Sequence, residues 1–191
     1  MHDHTLIIGG TGMLLAASVA LARRSRALTS VARTDRSLAA LDGALAGIAC
    51  VHHRLPLDWT RADFLPALSE HLERVGRPSL VVAWLHDERL GPEIARRAAS
   101  ADRPCSFFQV LGSAAADPAH GAPDLAAAVS GLPGVDYHLV ILGFRIEGGG
   151  RRWLRDQEIS DGVLAAIALS APICVVGTVA HPTPGMLVLP T

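Results

Sequence analysis

The first residues whose types and order suggest chemistry are Thr5-Leu6-Ile7-Ile8-Gly9-Gly10-Thr11-Gly12-Met13-Leu14. An apolar run enters a cluster of glycines and leaves as an Ala/Leu-rich run of helical character. Glycines at such a junction let the backbone turn tightly and approach a pyrophosphate, while the helix behind them offers free N–H groups and the positive end of its dipole. The spacing is Gly9-x-x-Gly12, and Leu15 stands where a third glycine would fall. A tight strand-to-helix turn with no ligand would carry the same glycines, so the residues at the end of the second strand must decide. That second apolar run closes in Ser30-Val31-Ala32-Arg33-Thr34, with Arg36 shortly after. A carboxylate at that point holds the ribose 2′-hydroxyl of NAD, whereas an arginine suits the 2′-phosphate of NADP. Arg33 and Thr34 therefore predict NADP(H), the alternative being an arginine merely solvated at a strand end.

These residues need a scaffold that alternates strands and helices. Strands are predicted at Thr5–Gly9, Ala27–Ala32, Ile48–His53, Leu80–Trp84, Cys105–Leu111, Tyr137–Leu142 and Ile173–Val179, with helices near 12–25, 36–46, 61–75, 90–101, 123–130 and 157–169. The strands are nearly continuously apolar, as strands buried on both faces must be. Strict alternation implies an α/β fold: a three-layer αβα Rossmann domain over residues 1–191, with a doubly wound, mainly parallel sheet of about seven strands. Asp156 and Asp35 are the expected N-caps of the last and second helices. Gly148-Gly149-Gly150 marks the most flexible point, followed at once by Arg151-Arg152-Trp153.

The chain resembles the short-chain dehydrogenase/reductase superfamily, in particular its atypical NADP-binding members. The resemblance rests on Gly9-Gly10-Thr11-Gly12-Met13-Leu14, on Arg33 after the second strand, and on Leu57-Asp58 after the third. It implies that Asp58 contacts the adenine ring. Ala83 and Trp84, at the end of the fourth strand, and Gly143, after the sixth, would then line the cofactor. Ser113, after the fifth strand, falls where that superfamily has its catalytic serine. The resemblance is specific in the dinucleotide half and poor in the catalytic half. The superfamily's usual Asn, Ser, Tyr and Lys group puts Tyr and Lys on one helix, where the lysine lowers the tyrosine pKa for proton exchange. All 17 basic residues here are arginine, and there is neither lysine nor asparagine. The single tyrosine, Tyr137, opens a strand, which places it at the sheet edge opposite the cofactor. A tyrosine–lysine mechanism, a Schiff base and a P-loop lysine are all excluded.

What the carboxyl edge retains is His86, after Trp84-Leu85, and Ser113. With the expected strand order 3-2-1-4-5-6-7 both reach the crevice, His86 to exchange a proton and Ser113 to hold a carbonyl oxygen. The alternative for His86 is a solvated loop residue or a partner of Asp87 or Glu88. His2, His4, His52 and His53 read as ordinary surface or core residues, and no metal site is predicted. Arg145, Arg151 and Arg152, with Trp153, suit either a closing loop that binds an acidic substrate or the cofactor phosphates, or solvated surface charge.

A formal net charge of −1 argues against nucleic acid or an anionic membrane as the main partner. Cys50, Cys105 and Cys174 read as buried reduced thiols. Residues 162–180 are uncharged, but Pro172 divides them into a helical and a β-rich half, and Met1-His2-Asp3-His4 lacks a positive n-region. The expectation is a cytoplasmic protein acting on a small-molecule substrate, its oligomeric state open, with a homodimer or homotetramer as the candidates. The leading reading is an atypical NADPH-dependent reductase passing hydride to a small carbonyl or conjugated acceptor. The alternatives are a non-catalytic NADP(H)-binding sensor and a non-redox cyclase or isomerase using His86.

Overall fold

Successive side chains along each central strand are buried toward opposite sides, and this alternation organises the computed structural model. It describes residues 1–117, 122–180, 182 and 184–189. In chain order the elements are β1 (His2–Ile8), α1 (Leu15–Ala22), β2 (Ser25–Ala32), α2 (Asp35–Ala44), β3 (Val51–Pro56), α3 (Phe64–Val75), β4 (Leu80–Trp84), α4 (Leu90–Ala98) and β5 (Cys105–Leu111). A 3-10 turn (Ser113–Ala116) and α5 (Ala122–Val129) lead to β6 (Val135–Leu142). The hairpin β7 (Phe144–Glu147) and β8 (Gly150–Trp153), then α6 (Asp156–Leu169), β9 (Ile173–Val176) and β10 (Leu187–Leu189), complete the described elements.

The main sheet is parallel throughout, with order β10-β9-β6-β5-β4-β1-β2-β3. The expected order is present with an eighth strand, β10, added beside β9. Ile7, Leu28, Val82, Val110 and Val140 turn to one face, against Leu21 of α1, Leu41 of α2 and Val163 and Ala166 of α6. Leu6, Ile8, Val31, Val81 and Phe107 turn to the other, against Leu68 and Leu72 of α3 and Ile94 and Ala95 of α4. Burial on both faces is what parallel strands require, and it makes the three layers. No helix among the described residues is long and apolar enough to cross a membrane. Cys105 and Cys174 are buried and Cys50 half-buried, all three free thiols.

Several expected boundaries move. β3 runs Val51–Pro56, not Ile48–His53, pairing Ala27 with Val51 and Ala32 with Pro56. It is an edge strand, so its residues follow one-sided burial and Pro56 is tolerated there. α1 begins only at Leu15, because residues 9–14 form the turn. Thr34, not Asp35, caps α2, its hydroxyl accepting from the Ser37 N–H. Asp156 is the first residue of α6; the N-cap is Arg155, whose N–H donates to Glu158 at 2.8 Å.

The stretch expected to be a flexible substrate lid is a β-hairpin. Gly148 and Gly149 form its two-residue turn with φ of +60° and +78°, the left-handed pair that matches strand twist. Its arginines are committed. Arg145 and Arg152 both reach the Glu158 carboxylate at 2.7 Å, Arg152 also pairs with Glu147, and Arg151 lies over the Phe144 ring at 4.6 Å. The Arg152 guanidinium foremost, then the Arg155 N–H and the Arg145 guanidinium, hold the Glu158 carboxyl well below the usual carboxylate range.

A second polar cluster lies at the amino-terminal side of the sheet. Gly76 O can only accept, so His4 Nδ1 donates to it at 2.8 Å and His4 Nε2 accepts from the Thr29 hydroxyl at 2.9 Å. Thr29 Oγ1 then accepts from His71 Nε2 at 3.1 Å, and His71 Nδ1 accepts from Arg74 at 3.1 Å. Each donor meets an acceptor only while both imidazoles are neutral. Burial first, then the Arg74, His53 and His4 charges, lowers the His71 pKa to about 4.

Two outcomes are expected. Unfolded histidine protonates near pH 6.5 while folded His71 stays neutral to about pH 4, so stability present above pH 6.5 declines as pH falls through that window. The loss is on the order of 2 kcal/mol after solvent screening, and His71→Gln, which keeps a donor and an acceptor, flattens the dependence of Tm on pH there. Separately, Glu158→Ala releases the hairpin: limited trypsin digestion cuts after Arg145, Arg151 or Arg152 sooner than in the wild type, under conditions where both remain folded.

Candidate functional site

The carboxyl ends of β1, β2, β4, β5 and β6 converge on one edge of the sheet, where open α/β sheets bind ligands. The glycine turn after β1 is held from three directions. Gly9 takes φ of +78°, and a Cβ on it would stand 2.8 Å from the Trp84 carbonyl oxygen, so only glycine lets the turn pass beneath β4. The Ser18 hydroxyl of α1 lies 2.8 Å from Gly10 O and 3.0 Å from Leu14 O. From α6, the Ser160 hydroxyl donates to Met13 O at 2.9 Å, tying the turn to the other half of the sheet. These contacts hold the turn without any ligand.

Among the cavities along this edge, two meet at the glycine turn, and a further one of about 400 Å³, lined by Ser113, Ala114, Asp117, Phe144 and Arg151, lies beside the second. The first, of about 380 Å³, is lined by Gly9, Thr11, Gly12 and Met13 of the turn, Ala32, Arg33, Thr34 and Ser37 at the end of β2, and Trp59, Trp84 and His86. A Cβ on Gly12 would meet nothing within 4 Å, so the turn leaves open space in front of the start of α1. Arg33 lies over the Trp59 ring at 5.5 Å, and among the described residues no carboxylate lines this cavity. The second, of about 520 Å³, is mainly apolar and shares Met13 and Trp84 with the first. Its other walls are Gly112, Ser113 and Ala114 after β5, Leu142 and Gly143 after β6, and Trp153, Leu154, Asp156 and Ile159. Gly143 has no room for a side chain, because its Cβ would stand 2.1 Å from Thr178 O.

The expected site residues thus divide. Gly9, Thr11, Gly12, Met13, Arg33, Thr34 and Trp84 line the first cavity; Ser113 and Gly143, with Met13 and Trp84, line the second. Gly10, Leu14 and Ala83 line neither. Leu14 and Ala83 are fully buried, and Gly10 packs against Ile7 and Ser18. Asp58 also lines neither: its carboxylate accepts from the N–H and hydroxyl of Thr60, which lower its pKa. His86 and Ser113 do not share a cavity. His86 is exposed beside Trp84, with ring centroids 5.9 Å apart, and borders only the first. Tyr137 stays away from both, stacked on Phe107 with its hydroxyl donating to Gln109, and burial raises its pKa.

Sequence reasoning missed Trp59 and Ser37 in the first cavity and Leu154, Asp156 and Ile159 in the second. The signal for Trp59 was adjacency to Asp58, and for Asp156 a position in the first turn of a helix. Neither indicates which way a side chain faces. Among the described residues no cluster of His, Cys, Asp or Glu is arranged to hold a metal.

No protein-family model matches the chain, and no curated protein matches it in sequence. Solved structures do match in shape. A bulky-bulky ketone specific alcohol dehydrogenase from Comamonas testosteroni is 15% identical, with TM-score 0.65 over 91% of this chain and 85% of its own. A short-chain dehydrogenase from Sphingobium yanoikuyae, solved with NADPH, is 15% identical, with TM-score 0.61 over 97% and 87%. A metagenomic short-chain oxidoreductase, solved with NADP, is 16% identical, with TM-score 0.61 over 95% and 97%. The chain therefore has the Rossmann-type fold that these short-chain oxidoreductases share.

Proposed function

We propose that the protein is an NADP(H)-dependent reductase that passes hydride to a small carbonyl or conjugated acceptor without a tyrosine–lysine pair. The observation that carries this reading is the first cavity, which joins a glycine turn and a helix N-terminus to a rim whose one permanently charged side chain among the described residues is Arg33. A dinucleotide with a 2′-phosphate fits that chemistry. The residues that would hold it are Thr11, Gly12 and Met13 at the pyrophosphate, Arg33, Thr34 and Ser37 at the 2′-phosphate, and Trp59 at the adenine. NADP or NADPH in structures of the same fold supports the choice.

When bound, a dihydronicotinamide supplies a hydride. The chain's own residues orient and shield. Trp84 and Met13 stand where the cavities meet, Ser113 offers a hydroxyl to a carbonyl oxygen, and Leu142, Leu154 and Ile159 exclude water. His86, bordering only the first cavity, is not placed to protonate an acceptor beside Ser113, which weighs against an isomerase built on it. The lack of lysine and the remote Tyr137 also suit a sensor that binds NADP(H) without turning over.

Fluorescence titration with NADPH and NADH tests the cofactor. NADPH is expected to bind more tightly, and Arg33→Asp to weaken it roughly 10- to 100-fold while leaving NADH nearly unchanged. Equal NADPH affinity in variant and wild type would overturn the 2′-phosphate assignment. Loss of the nicotinamide absorbance band with an added acceptor separates reductase from sensor.

A further inference from the structure

The second cavity has a composition that a generic carbonyl site does not explain. Trp84 and Trp153 supply aromatic surface, and Met13, Leu142, Leu154 and Ile159 supply apolar surface. Trp153 is 74% exposed, a large ring left uncovered at the cavity mouth. Among the described lining residues, the Ser113 hydroxyl and the Asp156 carboxylate are the polar side chains besides the two indole N–H groups. Among the described residues Asp156 is the one charged group lining the cavity, and its carboxylate has no ion-pair or hydrogen-bond partner there. The neighbouring arginines do not neutralise it: Arg145 and Arg152 are bound to Glu158, Arg151 lies over Phe144, and none of these, nor Arg155, lines the cavity.

An unpaired carboxylate beside indole faces selects positive charge, because aromatic faces attract cations and a carboxylate pairs with them. From this we infer that the second cavity binds a flat, apolar ligand carrying a positively charged nitrogen, with Asp156 as its counter-ion. The site itself is independent of any cofactor; the ligand's role as hydride acceptor rests on the reductase reading. As an acceptor, an iminium ion suits what this chain lacks. A ketone oxygen must gain a proton on reduction, and neither lysine nor an accessible tyrosine is present. An iminium carbon takes the hydride of a dihydronicotinamide, the C=N electron pair passes to nitrogen, and the products are a neutral amine and the oxidised nicotinamide. No side chain delivers a proton.

The test begins without cofactor. Tryptophan fluorescence of the full chain is titrated with phenyltrimethylammonium and with its uncharged isostere tert-butylbenzene. The cation is expected to bind about tenfold more tightly, with Asp156→Asn abolishing that preference and Asp156→Glu restoring it. Asp156 is exposed in the first helical turn, so an unchanged Tm verifies that the variants fold. Equal or tighter binding of tert-butylbenzene, or full cation affinity in Asp156→Asn, would overturn the inference. In a second arm, N-methyl-3,4-dihydroisoquinolinium is expected to oxidise NADPH faster than 1-tetralone does. Preference for 1-tetralone overturns the acceptor assignment and leaves the reductase reading intact. Failure of NADPH to bind at all overturns the reductase reading and the acceptor role while cation binding stands.

Discussion

The passage of Gly9 beneath the Trp84 carbonyl is the contact on which the candidate site depends. With no space for a Cβ and a left-handed φ, the chain leaves β1, turns under the end of β4 and enters α1. That path sets Thr11 to Met13 at the edge of the sheet and puts Trp84 at the boundary of both cavities. Ser18 and Ser160 then fix the carbonyls of Gly10, Leu14 and Met13. Backbone groups held this way lose little further entropy when a ligand arrives, which is the physical content of preorganisation.

Charge is distributed around the same edge with little redundancy. Among the described residues, the first cavity has Arg33 and no carboxylate, and the second has Asp156 and no cation. The arginines of the hairpin after β6 line neither, because Glu158 and Glu147 engage Arg145 and Arg152 and make the hairpin part of the scaffold, while its Trp153 borders the second cavity. Away from the cavities, the His4–Thr29–His71–Arg74 chain satisfies buried polar atoms only with neutral imidazoles. It ties β1, β2 and α3 together below the edge where ligands would bind.

Much of the fold was legible because parallel strands buried on both faces favour apolar residues, as β4, β9 and the carboxyl ends of β1 and β6 show, although β2 carries Ser25, Arg26, Thr29 and Ser30. Where that constraint relaxes, the reading slipped. β3 is an edge strand buried on one side, so the apolar run around Ile48 pointed three residues too early. β7 and β8 are short and rich in arginine, and their glycines resembled a flexible loop until cross-strand pairing was visible. β10 is only three residues long and exists through its pairing with β9. In the site, Gly9, Gly12, Arg33 and Ser113 could be placed because strand ends determine where they fall. Trp59 and Asp156 could not, because their facing depends on segments far away in the chain.

The amino-acid sequence by itself determined the alternation of strands and helices, the glycine turn with Arg33 beyond it, and the absence of lysine. All of these derive from local residue type and spacing. Tertiary structure alone decided that His86 and Ser113 border different cavities, that Asp58 turns to Thr60, and that Asp156 borders the apolar cavity with no partner among the described residues. It likewise decided that Glu158 takes up two arginines of the hairpin. The reason is geometric: a side chain's partner is set by which distant segment packs opposite it, and no local pattern encodes that.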